Sequence, residues 1–168
     1  YYDVESCERI TPWHHGAGDF IVKTDSGNVA VRLVTARGYE AFRSSDACET
    51  VNPLWGLHNF FFELATKMRL DKQEGMGETT WAGGIFVTAA IEGFMQAMKT
   101  KEAQGQCEPH MVADFIASAK ELTENEIEQI INSQLNASQT SGTSDYEVIK
   151  ANLKNHTQEL VRALQQLS

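Results

Sequence analysis

The sequence predicts a mainly α fold, an irregular bundle of about five helices with a small N-terminal β-hairpin. Two runs of period-two alternation flank the turn-forming residues 25–28, which is the pattern of a hairpin. After Cys48, apolar residues recur at every third or fourth position, which is the period of an amphipathic helix. The 168 residues fit one domain, with 1–45 an irregular segment plus hairpin and 46–168 a helical bundle.

The hairpin prediction rests on side-chain alternation around a short polar turn. Apolar residues alternate with polar or small ones on both sides of Asp25-Ser26-Gly27-Asn28. A two-residue loop containing glycine is typical of a tight hairpin turn. The alternating apolar residues are Phe20, Val22, Val29, Val31 and Leu33.

The first two helices are predicted on either side of a charged loop, 71–78. Asn52 can cap the first helix and Pro53 suits its first position, so the helix is expected to run to Leu70. The second is expected from Thr79 or Thr80 to about Lys101. Its apolar stripe would be Trp81, Ile85, Phe86, Ala89, Ala90, Phe94 and Met98.

Three glycines interrupt this second helix. Each costs a helix up to about 1 kcal/mol relative to alanine. A helix that tolerates several glycines usually packs closely on a neighbour. We therefore expect Gly83, Gly84 and Gly93 to lie against another helix.

Three more helices follow. Pro109 is expected to open the third, and capping boxes at 123–126 and 144–147 to open the fourth and fifth. Between the last two lies a Ser/Thr-rich linker, 136–144. The predicted inward residues are Val112, Phe115, Ile116, Ala119, Ile127, Ile130, Ile131, Leu135, Ile149, Leu153, His156, Leu160, Leu164 and Leu167.

The charge balance restricts the partners. Asp and Glu number 23 against 14 Lys and Arg, a formal net charge of −9. This field repels nucleic acid and anionic membrane surfaces and attracts a basic protein surface, although acidity also serves solubility alone. The most apolar stretch, 81–98, is interrupted by Glu92 and Gln96 and is too short to insert into a membrane.

Three cysteines suggest a disulfide. Cys48 lies just before the first predicted helix and Cys107 just after the second, so an antiparallel helix pair would bring them together. A bond there would stabilise the fold by roughly 4 kcal/mol and would persist in an oxidising compartment. Two alternatives stay open: Cys7 competes for either partner, or all three are reduced thiols.

No catalytic motif is visible, and no cofactor is predicted. His14, His15 and Asp19 provide good ligand types, but adjacent histidines in a Gly-rich loop do not easily converge on one ion and the sequence fixes no further ligand beside them, so no metal site is predicted. His58 and His156 fall on apolar helix faces, where a satisfied core histidine is expected. The spacing of Cys107 and His110 is a weak candidate for a nucleophile and base.

The N-terminal segment supplies the candidate partner-binding residues. Tyr1, Tyr2, Trp13, His14 and His15 lie in a stretch without a periodic pattern that would bury them. Aromatic residues of this kind are common interface anchors. In the competing interpretation, Trp13 folds back onto the hairpin as part of the core.

One stretch resembles small periplasmic immunity proteins, which are helical, disulfide-bonded and neutralise cell-wall-degrading effectors. The similar residues are Gly93-Phe94, Cys107-Glu108-Pro109 and 112–116, within about a third of the chain, roughly 84–135. The chain departs from that pattern by its N-terminal hairpin, and by a long last helix in place of the expected second cysteine. The resemblance implies a binding role without assigning functional residues.

The leading hypothesis is a non-enzymatic, secreted or periplasmic protein-binding domain, such as an immunity protein or inhibitor that occludes its partner. The alternative is an extracytoplasmic sensor or accessory domain of a membrane-anchored assembly. A third is an enzyme with an unrecognised site. The start at Tyr1, without Met, is consistent with a signal or anchor that is absent from this chain.

Overall fold

The computed structural model describes residues 2–3, 8–10, 20–33, 39–41, 52–72, 77–137 and 142–167. Within them the chain is mainly helical, as predicted. The helices are α1 (Pro53–Lys67), α2 (Ile85–Ala103), α3 (Met111–Glu121), α4 (Glu124–Ala137) and α5 (Ser144–Gln165). The strands are β1 (Glu8–Ile10), β2 (Phe20–Asp25), β3 (Asn28–Leu33), β4 (Tyr39–Ala41), β5 (Leu70–Lys72) and β6 (Thr79–Trp81).

The strands form three separate antiparallel pairs. The predicted N-terminal hairpin is present as β2–β3, with Phe20 opposite Leu33 and Asp25 opposite Asn28. The short strands β1 and β4 lie before and after this hairpin in the sequence, and they pair with each other. The third pair, β5–β6, joins α1 to α2, with Leu70 opposite Trp81.

The β5–β6 pair corrects the predicted ends of the first two helices. α1 ends at Lys67, and Leu70–Lys72 is a strand. The residues expected to start the second helix, Thr79–Trp81, form its partner strand, and α2 begins at Ile85. β-branched Thr79 and Thr80 and aromatic Trp81 suit an extended chain, which accounts for the difference.

Side-chain caps mark the starts of α1, α4 and α5. Asn52 caps α1 through its Oδ1, which accepts a hydrogen bond from the Leu54 amide at 2.9 Å. At α4 the predicted capping box is present, because Thr123 and Glu126 exchange side-chain to backbone hydrogen bonds. At α5 the predicted box is wrong by one residue, since Thr143 accepts from the Tyr146 amide.

The core lies between the helices and is rich in aromatic rings. Phe61 is fully buried, with ring centroids 5.0 Å from Phe94 and 5.6 Å from Phe115. α3, α4 and α5 bury most of the predicted inward residues; Ile116, Ile130 and Leu167 are partly buried. Burial of this kind stabilises a fold by roughly 1.5–3 kcal/mol for each large side chain.

On α2 the predicted stripe is partly wrong. Phe94, Ala90 and Met98 are buried, but Ile85, Phe86 and Ala89 are exposed. The helix turns a different face to the core, and that face carries Val87, Ala90, Ile91, Phe94, Met95 and Met98.

The predicted close packing is wrong at two of the three glycines, Gly83 and Gly93. A Cβ atom at Gly83 or Gly93 would meet no described atom within 4 Å. At Gly84 it would lie 3.1 Å from Oε1 of Glu159, which is the far end of a flexible side chain. Gly84 therefore lies close to α5 through this side chain, whereas Gly83 and Gly93 have no described neighbour there.

Candidate partner-binding surface

The β2–β3 hairpin carries an exposed apolar face, and we call this hairpin the arm. The strand period places Val22, Val29 and Val31 on one face, and their side chains are 58%, 64% and 58% exposed. Val22 and Val31 are directly paired across the two strands. Three β-branched side chains thus form one apolar patch that is open to solvent.

The opposite face of the arm is mixed. It carries Lys23, Arg32 and the small Ala30, together with Ile21, which is 60% exposed. Every described side chain from 21 to 32 is exposed, and Phe20 at the base is half-buried. β2 and β3 contact mainly each other among the described elements. The arm therefore stands away from the helical body.

The turn fixes the register of the arm. Ser26 and Gly27 both have positive φ, 49° and 87°, as a two-residue turn with the twist of the strands requires. Gly27 adopts this conformation without steric cost, and Ser26 hydrogen-bonds to Asp25 at 3.1 Å. Because a one-residue slip would exchange the faces, the turn keeps the three valines together.

Of the predicted N-terminal anchors, only Tyr2 lies within the described residues. Tyr2 is only 4% exposed and stacks on Phe60 with ring centroids 5.0 Å apart, so it belongs to the core and is not a surface anchor. Arg9 in β1 forms an ion pair with Glu63 of α1, which holds that strand on the helix. Tyr1, Trp13, His14 and His15 lie outside the described residues, as does Asp19.

The second hairpin, β5–β6, is fixed to the body by a buried arginine. Arg69, just before β5, is 2% exposed. Its Nε and Nη2 donate to the Ala82 carbonyl at 2.9 and 2.7 Å, and Nη1 pairs with Glu159 of α5. Its guanidinium also lies 4.7 Å from the Trp81 ring centroid. One side chain therefore joins the end of α1, the segment after β6 and α5.

His156 completes this cluster as the predicted core histidine. Nη1 of Arg69 can only donate a hydrogen bond, so Nδ1 of His156, 3.3 Å away, accepts it. The proton then sits on Nε2, which donates to Thr66 Oγ1 at 3.2 Å, and that hydroxyl donates to the Phe62 carbonyl at 2.7 Å. Burial, and then the Arg69 charge, lower the pKa of His156 to about 3. The imidazole is therefore neutral over the physiological range.

The N-terminus of α5 provides a second attachment for β6. The Thr79 hydroxyl donates to Oδ1 of Asp145 at 2.7 Å and lies 2.9 Å from Oγ of Ser144. In addition, the Trp81 ring meets the His156 ring edge-on, with centroids 5.4 Å apart. The short hairpin is thus tied at both ends of its second strand.

His58 is also a core residue, as predicted. Its ring lies 4.9 Å from Phe115, and Nε2 lies 3.2 Å from the Ser118 hydroxyl. Burial lowers the pKa of His58. Both histidines on the apolar helix faces therefore have structural partners.

Of the three cysteines, only Cys107 lies within the described residues. Cys107 is a buried free thiol, and burial raises its pKa, so it is protonated and a poor nucleophile. His110, expected as a weak candidate base, is exposed at the start of α3. Cys48 and Cys7 lie outside the described residues, and with Cys107 free the structure gives no support to the predicted Cys48–Cys107 disulfide.

Metal sites and membrane spans are both absent from the described residues. No group of three or more His, Cys, Asp or Glu side chains is arranged there to hold a metal ion. Among the helices in this part of the chain, none has the length and apolarity to cross a bilayer.

No protein family, curated protein or solved structure matches the chain. The resemblance to periplasmic immunity proteins therefore stays a prediction. The exposed arm is the most distinctive feature of the described surface.

Sequence reasoning found the arm as a hairpin but missed it as a surface. The alternation of its valines predicted two strands but did not say whether their apolar face is covered. One signal was present: Ile21 and Ala30 add apolar character to the opposite face, which is unusual where only one face is buried.

Proposed function

We propose that this chain is a non-enzymatic protein-binding domain that engages its partner through the arm. The single observation that carries this proposal is the exposure of Val22, Val29 and Val31 on one face of a projecting hairpin. Contiguous exposed apolar patches on soluble proteins commonly mark interaction sites.

The energetics favour a covered arm. Removing a valine side chain from water contributes roughly 1.5–3 kcal/mol, so three of them provide a substantial part of a protein–protein affinity. An isolated two-stranded hairpin is at best marginally stable in water. A partner that covers the valine face would therefore stabilise the arm while the arm binds it.

The charge of the chain indicates the kind of partner. A net charge of −9 attracts a protein with a basic surface and accelerates its approach. The arm itself carries Lys23, Asp25 and Arg32, so the contact point differs in charge from the rest of the chain. We infer a partner with an apolar groove within a basic surrounding surface.

The finer form of the proposal is a secreted or periplasmic inhibitor, or immunity protein, that occludes its partner. A projecting arm supports it, because such an element can enter a cleft that a flat helical face cannot.

Two neighbouring residues of β3 test the role of the arm. Val31→Lys and Ala30→Lys add the same charge to the same strand on opposite faces. With a partner captured from the native extract and then purified, Val31→Lys should weaken the measured affinity about ten-fold or more, and Ala30→Lys much less. Equal effects of the two variants, with both chains folded by circular dichroism, would contradict the proposal.

A further inference from the structure

A second surface lies on α2, far along the chain from the arm. Ile85 is 77% exposed and Phe86 is 42% exposed, and the face continues through Ala89, Gly93 and Ala97, which are all exposed. The core face of α2 is formed by other residues, so these side chains serve no packing role there.

The glycine on this face has no explanation within the described chain. A Cβ at Gly93 would meet nothing within 4 Å, so no described neighbour requires the missing side chain. In the middle of a helix, glycine costs roughly 0.5–1 kcal/mol relative to alanine. Close approach by a second molecule is a physical reason to have it.

Two residues of opposite charge lie beside this face. Glu92 and Lys99 are both exposed and lie seven residues apart, two turns along the same flank of α2. Neither forms an ion pair with a described residue. In an antiparallel pair of identical helices, equal flanks meet, and an acid two turns from a base then faces the base of the other helix.

We propose that α2 packs antiparallel against α2 of a second copy of this chain. Glu92 of each copy pairs with Lys99 of the other, so two ion pairs form about one two-fold axis. The same register sets Gly93 close to Ala97 of the second copy, where two small residues allow the helices to approach.

The net charge of the chain does not prevent two copies from contacting each other through α2. Two molecules of charge −9 repel, but α2 contains two acids and two bases and is neutral overall. A groove of about 670 Å³ between α2 and the end of α5 runs along the Glu92–Lys99 flank and leaves room for the paired side chains. This contact uses none of the arm residues, so self-association is independent of the proposed function.

Charge reversal on the full-length chain tests the register. Wild type should show a concentration-dependent dimer in sedimentation equilibrium. Glu92→Lys sets two lysines against each other at each contact, and Lys99→Glu sets two glutamates against each other. Each variant alone should therefore dimerise about ten-fold more weakly. Mixed one to one, the two variants should form a heterodimer, because each of the two contacts between unlike copies then pairs a lysine with a glutamate.

Matched controls separate register from net charge. Glu121→Lys on α3 and Lys154→Glu on α5 change the charge equally at exposed sites away from α2 and should leave the dimer unchanged. Circular dichroism melting verifies the fold of each variant. A wild type that stays monomeric to about 1 mM would overturn the proposal. Failure of the mixture to restore the dimer, or equal weakening by the controls, would overturn it as well.

Discussion

The two hairpins β2–β3 and β5–β6 have the same secondary structure and opposite surroundings. The arm has six paired positions and exposes nearly all of its side chains, whereas β5–β6 has three pairs and is fixed to α1 and α5. Arg69, Thr79 and Trp81 provide that attachment.

The difference shows that strand length does not decide how firmly a hairpin is held. Three-residue strands are too short to be stable alone, and β5–β6 persists because buried polar groups at its ends find partners on two helices. The longer arm depends on its own cross-strand pairs, so its valines remain available to a partner. Substitutions in matched positions of the two hairpins test this contrast.

The largest expected effect is from Arg69→Ala. It leaves the Ala82 carbonyl and His156 Nδ1 without their donor and Glu159 without its cation, in a buried site. Losing one partner of a buried ion pair costs about 3–5 kcal/mol. Urea denaturation should show this loss, and Arg32→Ala on the arm should stay within about 0.5 kcal/mol. Equal losses would remove the distinction between the hairpins.

The next effect is a pH dependence from His156. Its pKa is about 3 in the fold and near 6.5 unfolded, so between these values the unfolded chain binds a proton that the fold does not. The neutral ring contributes stability fully above pH 6.5, and that stability is lost as pH falls toward 3, at up to about 1.4 kcal/mol per pH unit.

His156→Gln removes this titration. Its unfolding free energy should therefore decline less steeply than that of wild type between pH 6.5 and 4, after an offset at neutral pH from altered packing. Parallel profiles for the two proteins, measured by urea denaturation at each pH, would show that His156 is not held neutral.

The smallest effect compares two threonines. Thr79→Val in β6 removes a hydrogen bond to Asp145 and should cost about 1–2 kcal/mol. Thr24→Val in β2 replaces an exposed side chain of similar shape and should change the unfolding free energy by less than about 0.5 kcal/mol. Thermal melting of both variants measures the difference, and a reversed order would be incompatible with the fixed β5–β6 pair.

Local signals predicted much of the fold. Asn52, the Thr123 and Glu126 capping box and the glycine turn of the arm are each settled by neighbouring residues, and all three are as predicted. The β5–β6 pair was missed because three-residue strands leave almost no periodic signal. It is established by long-range contacts, such as that between Arg69 and Glu159.

The surface was harder to predict than the fold. Alternation in the arm gives the strands and their two faces, but it does not say whether anything covers the apolar one. Periodicity on α2 likewise gave a helix but assigned Ile85 and Phe86 to the core, because apolar residues surround that helix on several sides. Tyr2 was predicted to be a surface residue and is buried instead. The sequence could not show this, since its partner Phe60 is far away along the chain.

Native-state hydrogen exchange tests the central contrast most directly, because it reports the opening of each hairpin in the unmodified chain. The paired amides of β5–β6 should exchange with an opening free energy close to that of global unfolding, since Arg69 and Thr79 tie them to the bundle. The paired amides of β2–β3 should exchange through a separate opening of much lower free energy. Equal protection of the arm and β5–β6 would contradict the account, because an arm that opens only with the whole fold is not held by its own pairs alone.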